Sequence, residues 1–240
     1  MPESPQTLSS LAVRLLRERI VSGALPPGAK LSDLALSREI GISRTPIREA
    51  IRMLAADGLV EVVPHQGATV RSPSLAELDE LYEIRALLEA HAAARAAARR
   101  PAETASLLAL VAEMEAIAVP DGERLDEAAT RRQRELDLGF HRLVLTLSGL
   151  ARLQRMVEDA GIIARPFETM DPCMPTADLR SACRHHRRIA EAIAAGDAEA
   201  ARTAMAAHIE EGRAGARTRV EQWHQTNTGR VPEALRPFVR

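Results

Sequence analysis

The sequence changes character at Ser72-Pro73-Ser74, and this change constrains the fold more than any other feature. Before it, the chain has short helical patterns, a Pro-Pro-Gly turn and one β-rich stretch, with four valines, at 59–71. After it, the chain is rich in Ala, Leu, Glu and Arg and keeps a helical period almost to the end. Proline disfavours helix in the residue before it, so Pro73 marks a boundary. The pattern predicts two domains, 1–72 and 73–224, followed by a disordered tail at 225–240.

The chain has 240 residues, of which 46% are hydrophobic and 27% charged, and this composition argues against global disorder. No apolar run approaches the ~18–20 residues of a membrane span, and the N-terminus lacks the basic and apolar regions of a secretion signal. We therefore expect a cytoplasmic protein. In that reducing compartment, Cys173 and Cys183 are expected to be free thiols.

The net charge of −1 points to no particular partner. Residues 1–72 carry nine Lys and Arg against seven Asp and Glu, whereas the remainder carries 23 against 26. The small positive excess therefore lies in the first domain. Three Phe, one Tyr and one Trp are too few for a base-stacking surface, which argues against the common single-stranded nucleic-acid modules.

Three helices and a hairpin are predicted in the first domain. Asp33 is expected to cap the second helix, which ends at Gly41. Thr45 is expected to cap the third helix, with Pro46 as its first residue. The stretch at 59–71, with a turn at 64–67, predicts a two-stranded wing. A short helix, a tight turn and a second capped helix are typical of a helix-turn-helix.

The third predicted helix has an arginine stripe. Arg44, Arg48 and Arg52 recur every four residues, so they lie opposite the apolar face of that helix. Ser43 and Thr45 place hydroxyls near its N-terminus, where they and the backbone N–H groups can contact phosphate. Arginine can also bind the O6 and N7 edge of guanine. The alternative is a solvated basic face, but the turn, the cap and the wing around the stripe favour DNA binding.

A stretch of 45 residues, 26–70, contains SRTPIREA followed by DGLV and a glycine-tipped wing. It resembles the winged helix of the GntR superfamily of bacterial transcription regulators. Leu34 departs from this resemblance, because many relatives have a basic or polar residue there; Arg38 is the residue that would compensate. The resemblance implies that DNA is contacted by Ser43, Arg44, Thr45 and Arg48 and by the wing tip His65, Gln66 and Gly67.

The second domain is predicted to be an all-α bundle of six or seven helices. Its helical patterns are separated by Pro101, the turn at 120–122, Gly149, Pro166 and Gly196. The predicted helices cover about 74–99, 102–118, 123–148, 150–164, 178–195 and 198–223.

Metal-binding residue types occur on three of these helices. Asp137 and His141 are four residues apart and so share a helix face. His186 lies on an apolar helix face, and His208 is beside Met205 on the last helix. Three imidazoles and a carboxylate are a plausible set for zinc, nickel or manganese. Spacing alone favours the simpler interpretation, hydrogen-bonded core histidines, because Asp and His at i, i+4 are common by chance.

Four segments in this domain are similar, in order, to recurrent segments of the FCD domain, the effector domain of the FadR subgroup of GntR regulators. They are LYEIRALLEAHAA, DLGFHRLVLTLSG, RHHRRIAEAIAAGDAEAA and AMAAHI. The resemblance implies a divalent metal, zinc first, inside the bundle. The matching ligand positions are Asp137, His141, His186 and His208.

Arg85 matches a recurrent arginine of the first FCD helix. The resemblance implies that Arg85 faces the cavity and binds a carboxylate of a small organic-acid effector. The equal alternative is an ion pair with Glu89, one turn further along the helix.

The resemblance implies a metabolite-responsive regulator, usually a repressor, that binds a palindromic operator as a homodimer. One alternative is a metal-responsive regulator in which the ion itself is the effector. A second alternative is a metal-dependent enzyme, since an open metal site can activate water. No general base or nucleophile motif accompanies the ligand set, so no catalytic residue is expected.

Overall fold

The structure is a computed structural model that describes residues 7–21, 24–25, 27–63, 67–71, 74–99, 104–117, 124–158 and 173–227. The described residues up to Ser74 form one compact unit, and those from Leu75 form a second. We call these the N-terminal unit and the helical unit. Among the described residues, no helix is both long and apolar enough to cross a membrane.

The described residues of the N-terminal unit form three helices and a small antiparallel sheet. The strand order is β1-β3-β2, with Leu31 opposite Ala68 and Val60 opposite Val70. The predicted hairpin is thus present, and β1 adds a third strand that was not predicted, since two residues cannot show a strand period. The elements are α1 (Leu8–Val21), β1 (Lys30–Leu31), α2 (Asp33–Ile40), α3 (Arg44–Ala56), β2 (Val60–Val63) and β3 (Gly67–Val70).

Both predicted helix N-caps in this unit, Asp33 and Thr45, are wrong by one or two residues. Ser32 caps α2, since its side chain accepts a hydrogen bond from the backbone N–H of Ala35, and Asp33 is the first helical residue. Ser43 occupies the N-cap of α3, which places Thr45 inside the first turn. Pro46, predicted as the first residue of this helix, is its third, and proline is tolerated there because the first N–H groups of a helix have no partner within it. The predicted αL C-cap at Gly41 is confirmed, with φ of 79°.

The core of the N-terminal unit explains why one face of α3 is exposed. The helix buries one apolar face and packs against α1. The buried side chains recur at i, i+3, i+4 and i+7, as the sequence predicts. The opposite, arginine-bearing face consequently lies toward solvent. The buried residues on the apolar face of α3 are Ile47, Ala50, Ile51 and Leu54.

The helical unit is the all-α bundle that the sequence predicts. Helix α4 packs against α9, α6 and α8, and α8 also packs against α9. Helix α9 continues to Asn227, so the first three residues of the predicted disordered tail are helical; residues 228–240 lie outside the described residues. The helices are α4 (Leu75–Arg99), α5 (Thr104–Glu115), α6 (Glu127–Ser148), α7 (151–158), α8 (Thr176–Ala195) and α9 (Ala198–Asn227).

Several polar side chains are buried inside this bundle. A buried polar group is unfavourable unless it is hydrogen-bonded, and a buried charge must be paired or bind a metal. Glu89 and His186 have 1% and 0% of their surface exposed, and His141 has 6%. A cluster of this kind in an otherwise apolar core therefore marks the place to look for a site.

Candidate nucleic-acid interface and metal centre

The predicted DNA-contacting residues of α3 lie on its exposed face. Arg44 and Arg48 have 50% and 56% of their side chains exposed. Gly67 is exposed at the start of β3 with φ of 96°, a conformation that favours glycine. His65 and Gln66 lie outside the described residues. The other exposed residues of the predicted set are Arg38, Ser43, Thr45 and Arg52.

A carboxylate that sequence analysis did not place in this interface contacts two of the arginines. Arg44 Nη2 donates to both oxygens of Asp33, at 3.0 and 3.1 Å, and Arg48 Nε donates to Asp33 Oδ2 at 2.5 Å. The hydrogen bond from Arg48 lowers the pKa of Asp33, against the raising effect of burial. Asp33 is therefore ionised at neutral pH and joins α2 to the arginine-bearing face of α3.

The four metal-ligating candidates of the helical unit come together. Asp137, His141, His186 and His208 each offer a ligand atom, and these atoms lie within 4.8 Å of one another. Helix α6 supplies the first two, α8 the third and α9 the fourth. The Nε2 atoms of His141 and His208 are 3.1 Å apart. Asp137 Oδ1 is 3.2 Å from His186 Nε2 and 3.9 Å from His141 Nε2.

The His186 imidazole fits a metal better than it fits a simple core role. Its side chain is fully buried, yet neither ring nitrogen makes a hydrogen bond within the described part of the chain. The 3.2 Å contact with Asp137 lacks hydrogen-bond geometry. A buried imidazole without a hydrogen-bond partner lowers the stability of the folded protein. A metal ion that accepts the lone pair of one ring nitrogen would resolve this.

Glu89 fixes the orientation of His141. Glu89 Oε2 lies 2.5 Å from His141 Nδ1, and Glu89 Oε1 accepts a hydrogen bond from Arg85 Nε at 2.9 Å. Burial raises the pKa of Glu89, but His141 and Arg85 outweigh this effect and lower it to about 2. An ionised carboxylate only accepts, so we assign the donated proton to Nδ1 of His141. The lone pair of Nε2 then points toward the cluster, as in the carboxylate–histidine pairs of known metal sites.

The protonation preferences of the other ligands also suit a metal. Burial lowers the pKa of His186, and burial together with the neighbouring imidazoles lowers the pKa of His208 well below its usual range. Both rings therefore favour the neutral form that binds metal. Burial raises the pKa of Asp137, but the contact with His186 and the nearby His141 and His208 rings outweigh this and lower it. His141 differs from these ligands: burial lowers its pKa, but Glu89 outweighs burial and raises it, so a metal ion would have to displace a proton from this ring.

Arg85 is placed by its ion pair with Glu89. Its side chain is 12% exposed, and its guanidinium carbon lies 5.1 Å from the centre of the Tyr82 ring. Sequence analysis left open an ion pair with Glu89 and a carboxylate-binding role, and the structure contains the ion pair. Arg85 is thus linked through Glu89 to His141, a connection that spacing along one helix does not reveal.

The two cysteines are free thiols, as expected. Cys183 is buried, and burial raises the pKa of its thiol. A thiol with a raised pKa is a weak nucleophile and a weak ligand. Cys183 is therefore a core residue rather than a part of the metal-ligand cluster.

A winged helix-turn-helix, followed in the chain by a helical bundle with a set of candidate metal ligands, defines a class of DNA-binding transcription regulators. Residues 8–70 match the family described as "Bacterial regulatory proteins, gntR family", and residues 80–211 match the FCD domain. The chain belongs to the GntR family of bacterial transcription regulators and carries an FCD domain.

Similar proteins include named repressors. The chain is 31% identical over 203 residues to a probable D-xylose utilization operon transcriptional repressor of Paenarthrobacter nicotinovorans, covering 85% of this chain and 86% of that protein. It is 28% identical over 208 residues to the transcriptional repressor RspR of Escherichia coli, covering 86% and 87%. The solved structure of Escherichia coli McbR/YncC superposes with a TM-score of 0.69 at 25% identity, covering 88% of this chain and 97% of that one.

These comparisons bear on the alternatives that the sequence left open. The matched families and the relatives are transcription regulators and not enzymes. The comparisons therefore support DNA binding by this chain. Nothing among these proteins supports the alternative of a metal-dependent enzyme.

Proposed function

We propose that this chain is a metabolite-responsive transcriptional repressor that holds a divalent metal and a small organic acid inside its FCD domain. The observation that carries the proposal is the convergence of the candidate ligand atoms of Asp137, His141, His186 and His208 within 4.8 Å of one another in the helical unit. The repressor role is supported by the two relatives that are named as repressors. The FCD domain also supports membership of the FadR subgroup, which would act in the cytoplasm, where bacterial DNA lies.

Three nitrogen ligands and one carboxylate suit zinc best, with nickel and manganese as the next candidates. When bound, the metal would supply a Lewis-acid centre to which an oxygen of an organic acid can bind. The chain's own residues prepare this site. Glu89 orients His141, and burial keeps His186 and His208 neutral. Asp137 contributes the negative charge that a divalent cation needs.

We propose that Arg85 binds the end of the effector that does not contact the metal. It is mostly buried, and one carboxylate, Glu89, connects it to the ligand His141. A guanidinium has five N–H donors and can bind a second carboxylate while it keeps its hydrogen bond to Glu89. An effector with polar groups at both ends would thus be held between the metal site and Arg85.

The regulator is proposed to bind a palindromic operator as a homodimer. A two-fold protein matches a two-fold DNA site, and a single winged helix has only a small contact area. Effector binding can alter repression only if it favours one placement of the two DNA-binding units over another. Light scattering of the full chain should therefore give twice 26.1 kDa at micromolar concentration. A particle of 26.1 kDa alone would contradict the dimer.

The proposal is tested with an operator duplex that the full-length chain selects from a random library. Its affinity is measured for chelator-treated protein, for protein reloaded with zinc, and for zinc-loaded protein with each member of a panel of dicarboxylic and hydroxy acids. We expect at least one acid to release the zinc-loaded protein from the operator duplex. The same acid should leave the chelator-treated, metal-free protein bound to that duplex. If zinc alone changes the affinity, the ion is the effector. If the acids act equally without metal, the proposed site has no part in the response.

A further inference from the structure

Asp33 contacts two of the three arginines on the exposed face of α3, Arg44 and Arg48. Both of its oxygens accept from Arg44 Nη2, and Oδ2 also accepts from Arg48 Nε. The carboxylate is only 21% exposed, whereas the two arginine side chains are about half exposed. One acidic group thus holds two basic groups that stand one turn apart on the same helix.

Neither helix capping nor stability explains this arrangement. The N-cap of α2 is Ser32, whose side chain accepts the Ala35 N–H, so the Asp33 carboxylate is not required there. Ion pairs between exposed side chains contribute little to the stability of a protein. A carboxylate on a surface that must approach phosphates is also unfavourable for DNA binding in general. Its presence calls for a role in DNA recognition itself.

A guanidinium has five N–H donors, so Arg44 and Arg48 can keep their hydrogen bonds to Asp33 and still bind DNA. Held in this way, the two side chains lose less conformational freedom when they meet a matching pair of base edges. The same carboxylate repels every phosphate that approaches the stripe, whatever the DNA sequence. Preorganisation strengthens binding only at the correct site, whereas repulsion weakens binding everywhere.

We propose that Asp33 is a positioning residue for specificity: it fixes Arg44 and Arg48 for base contacts and weakens non-specific binding to DNA. This role rests on the DNA-binding function of α3 and is independent of the metal and the effector. The effect on operator affinity is small, because the gain and the loss oppose each other there. The effect on the ratio of specific to non-specific affinity is large.

The test uses the full-length chain with Asp33→Asn, which keeps the size of the side chain and removes its charge. Dissociation constants are measured by fluorescence anisotropy over a range of salt concentrations. The two probes are the duplex selected by the wild type and a scrambled duplex of the same composition. Glu39→Gln is the matched control, because Glu39 lies on the same helix and pairs with Arg19 of α1, at 2.8 Å. Asp33→Glu is the conservative variant that should restore function.

For Asp33→Asn we expect the scrambled duplex to bind about threefold to tenfold more tightly, with a salt dependence steeper by about one unit of slope. Operator affinity should stay within about threefold, so the specificity ratio falls. Asp33→Glu should recover most of the ratio, and Glu39→Gln should leave it unchanged. A purely structural role would weaken both duplexes equally and would not steepen the salt dependence, and that result would overturn the proposal. A wild type that prefers no sequence would contradict base reading by α3, and this proposal would fall with it.

Discussion

The two units of this protein differ in how far their polar and charged side chains are exposed to solvent. In the N-terminal unit, Arg44 and Arg48 are half exposed and share one carboxylate. In the helical unit, His141, His186 and Glu89 are buried in an apolar bundle. Exposed ion pairs exchange partners at little cost, whereas buried charged groups must be fully satisfied. The first arrangement suits a surface that replaces water contacts by DNA contacts. The second suits a buried site that binds one ion.

The largest expected effect is a loss of stability in the N-terminal unit that leaves the helical unit unchanged. Ile47 is fully buried in α3, and Ile47→Ala should lower the free energy of unfolding by about 2–5 kcal/mol, because it leaves a cavity. DNA binding should fall with it, while the metal content of the helical unit should not change. Urea denaturation, DNA titration and elemental analysis of the same sample check this. Met53→Ala is the control, since Met53 is 50% exposed on the same helix. Parallel loss of metal would show that the two sites are not separable.

A change in the exposed stripe should affect only DNA binding. Arg48→Ala should weaken operator binding by about 1–3 kcal/mol if the guanidinium contacts a base edge. Metal content and unfolding free energy should be unaffected, since the side chain is mostly exposed. Anisotropy with the selected operator measures the loss. The control is Arg19→Ala, which removes the same charge from α1. Equal effects from the two variants would mean that only overall charge matters and that Arg48 reads no base.

A change behind the metal ligands should have the opposite profile. Glu89→Gln keeps the shape of the side chain but removes the charge that orients His141, and zinc affinity should fall by about tenfold to a hundredfold. DNA affinity of the metal-free protein should stay the same. Competition with a chromophoric chelator gives the zinc affinity. Glu113→Gln, on the surface of α5 beside Arg132, is the matched control. If zinc binds Glu89→Gln as tightly as it binds the wild type, the hydrogen bond to His141 is not part of the site.

The smallest effect is expected at the wing tip. His65→Ala and Gln66→Ala should each weaken operator binding by less than Arg48→Ala, because the minor groove carries a degenerate code. The loss should be similar for operators that differ only by exchange of A·T for T·A under the wing. Anisotropy with such a pair of duplexes checks this. A strong preference between them would show that the wing reads more than groove width.

Local patterns in the sequence were enough to predict the three helices and the hairpin of the N-terminal unit. The apolar period of α3 fixes which face is buried, so the arginines on the other face follow directly. The caps were misplaced because Ser32 and Asp33 are both good N-cap residues, as are Ser43 and Thr45, and only backbone geometry distinguishes them. The hydrogen bonds of Asp33 with Arg44 and Arg48 could not be predicted from local patterns, because they join residues 11 and 15 positions apart.

The metal centre could be predicted only in part. Helix geometry places Asp137 and His141 on one face, but nothing local shows that His186 and His208 approach them. Their convergence depends on how α6, α8 and α9 pack, and the resemblance to the FCD domain supplied that information. Glu89 entered the sequence analysis only as a partner for Arg85. Its contact with His141 joins residues 52 positions apart, which no pattern within one helix can indicate.

The most direct test of the metal centre is elemental analysis of the full-length wild type beside His186→Ala and His208→Ala. Each protein is exposed to zinc and dialysed, and His91→Ala, an exposed position on α4, is the control. The account predicts about one zinc ion per chain in the wild type and in the control, and almost none in the other two. Equal zinc content in all four proteins would contradict the site and leave these histidines as core residues.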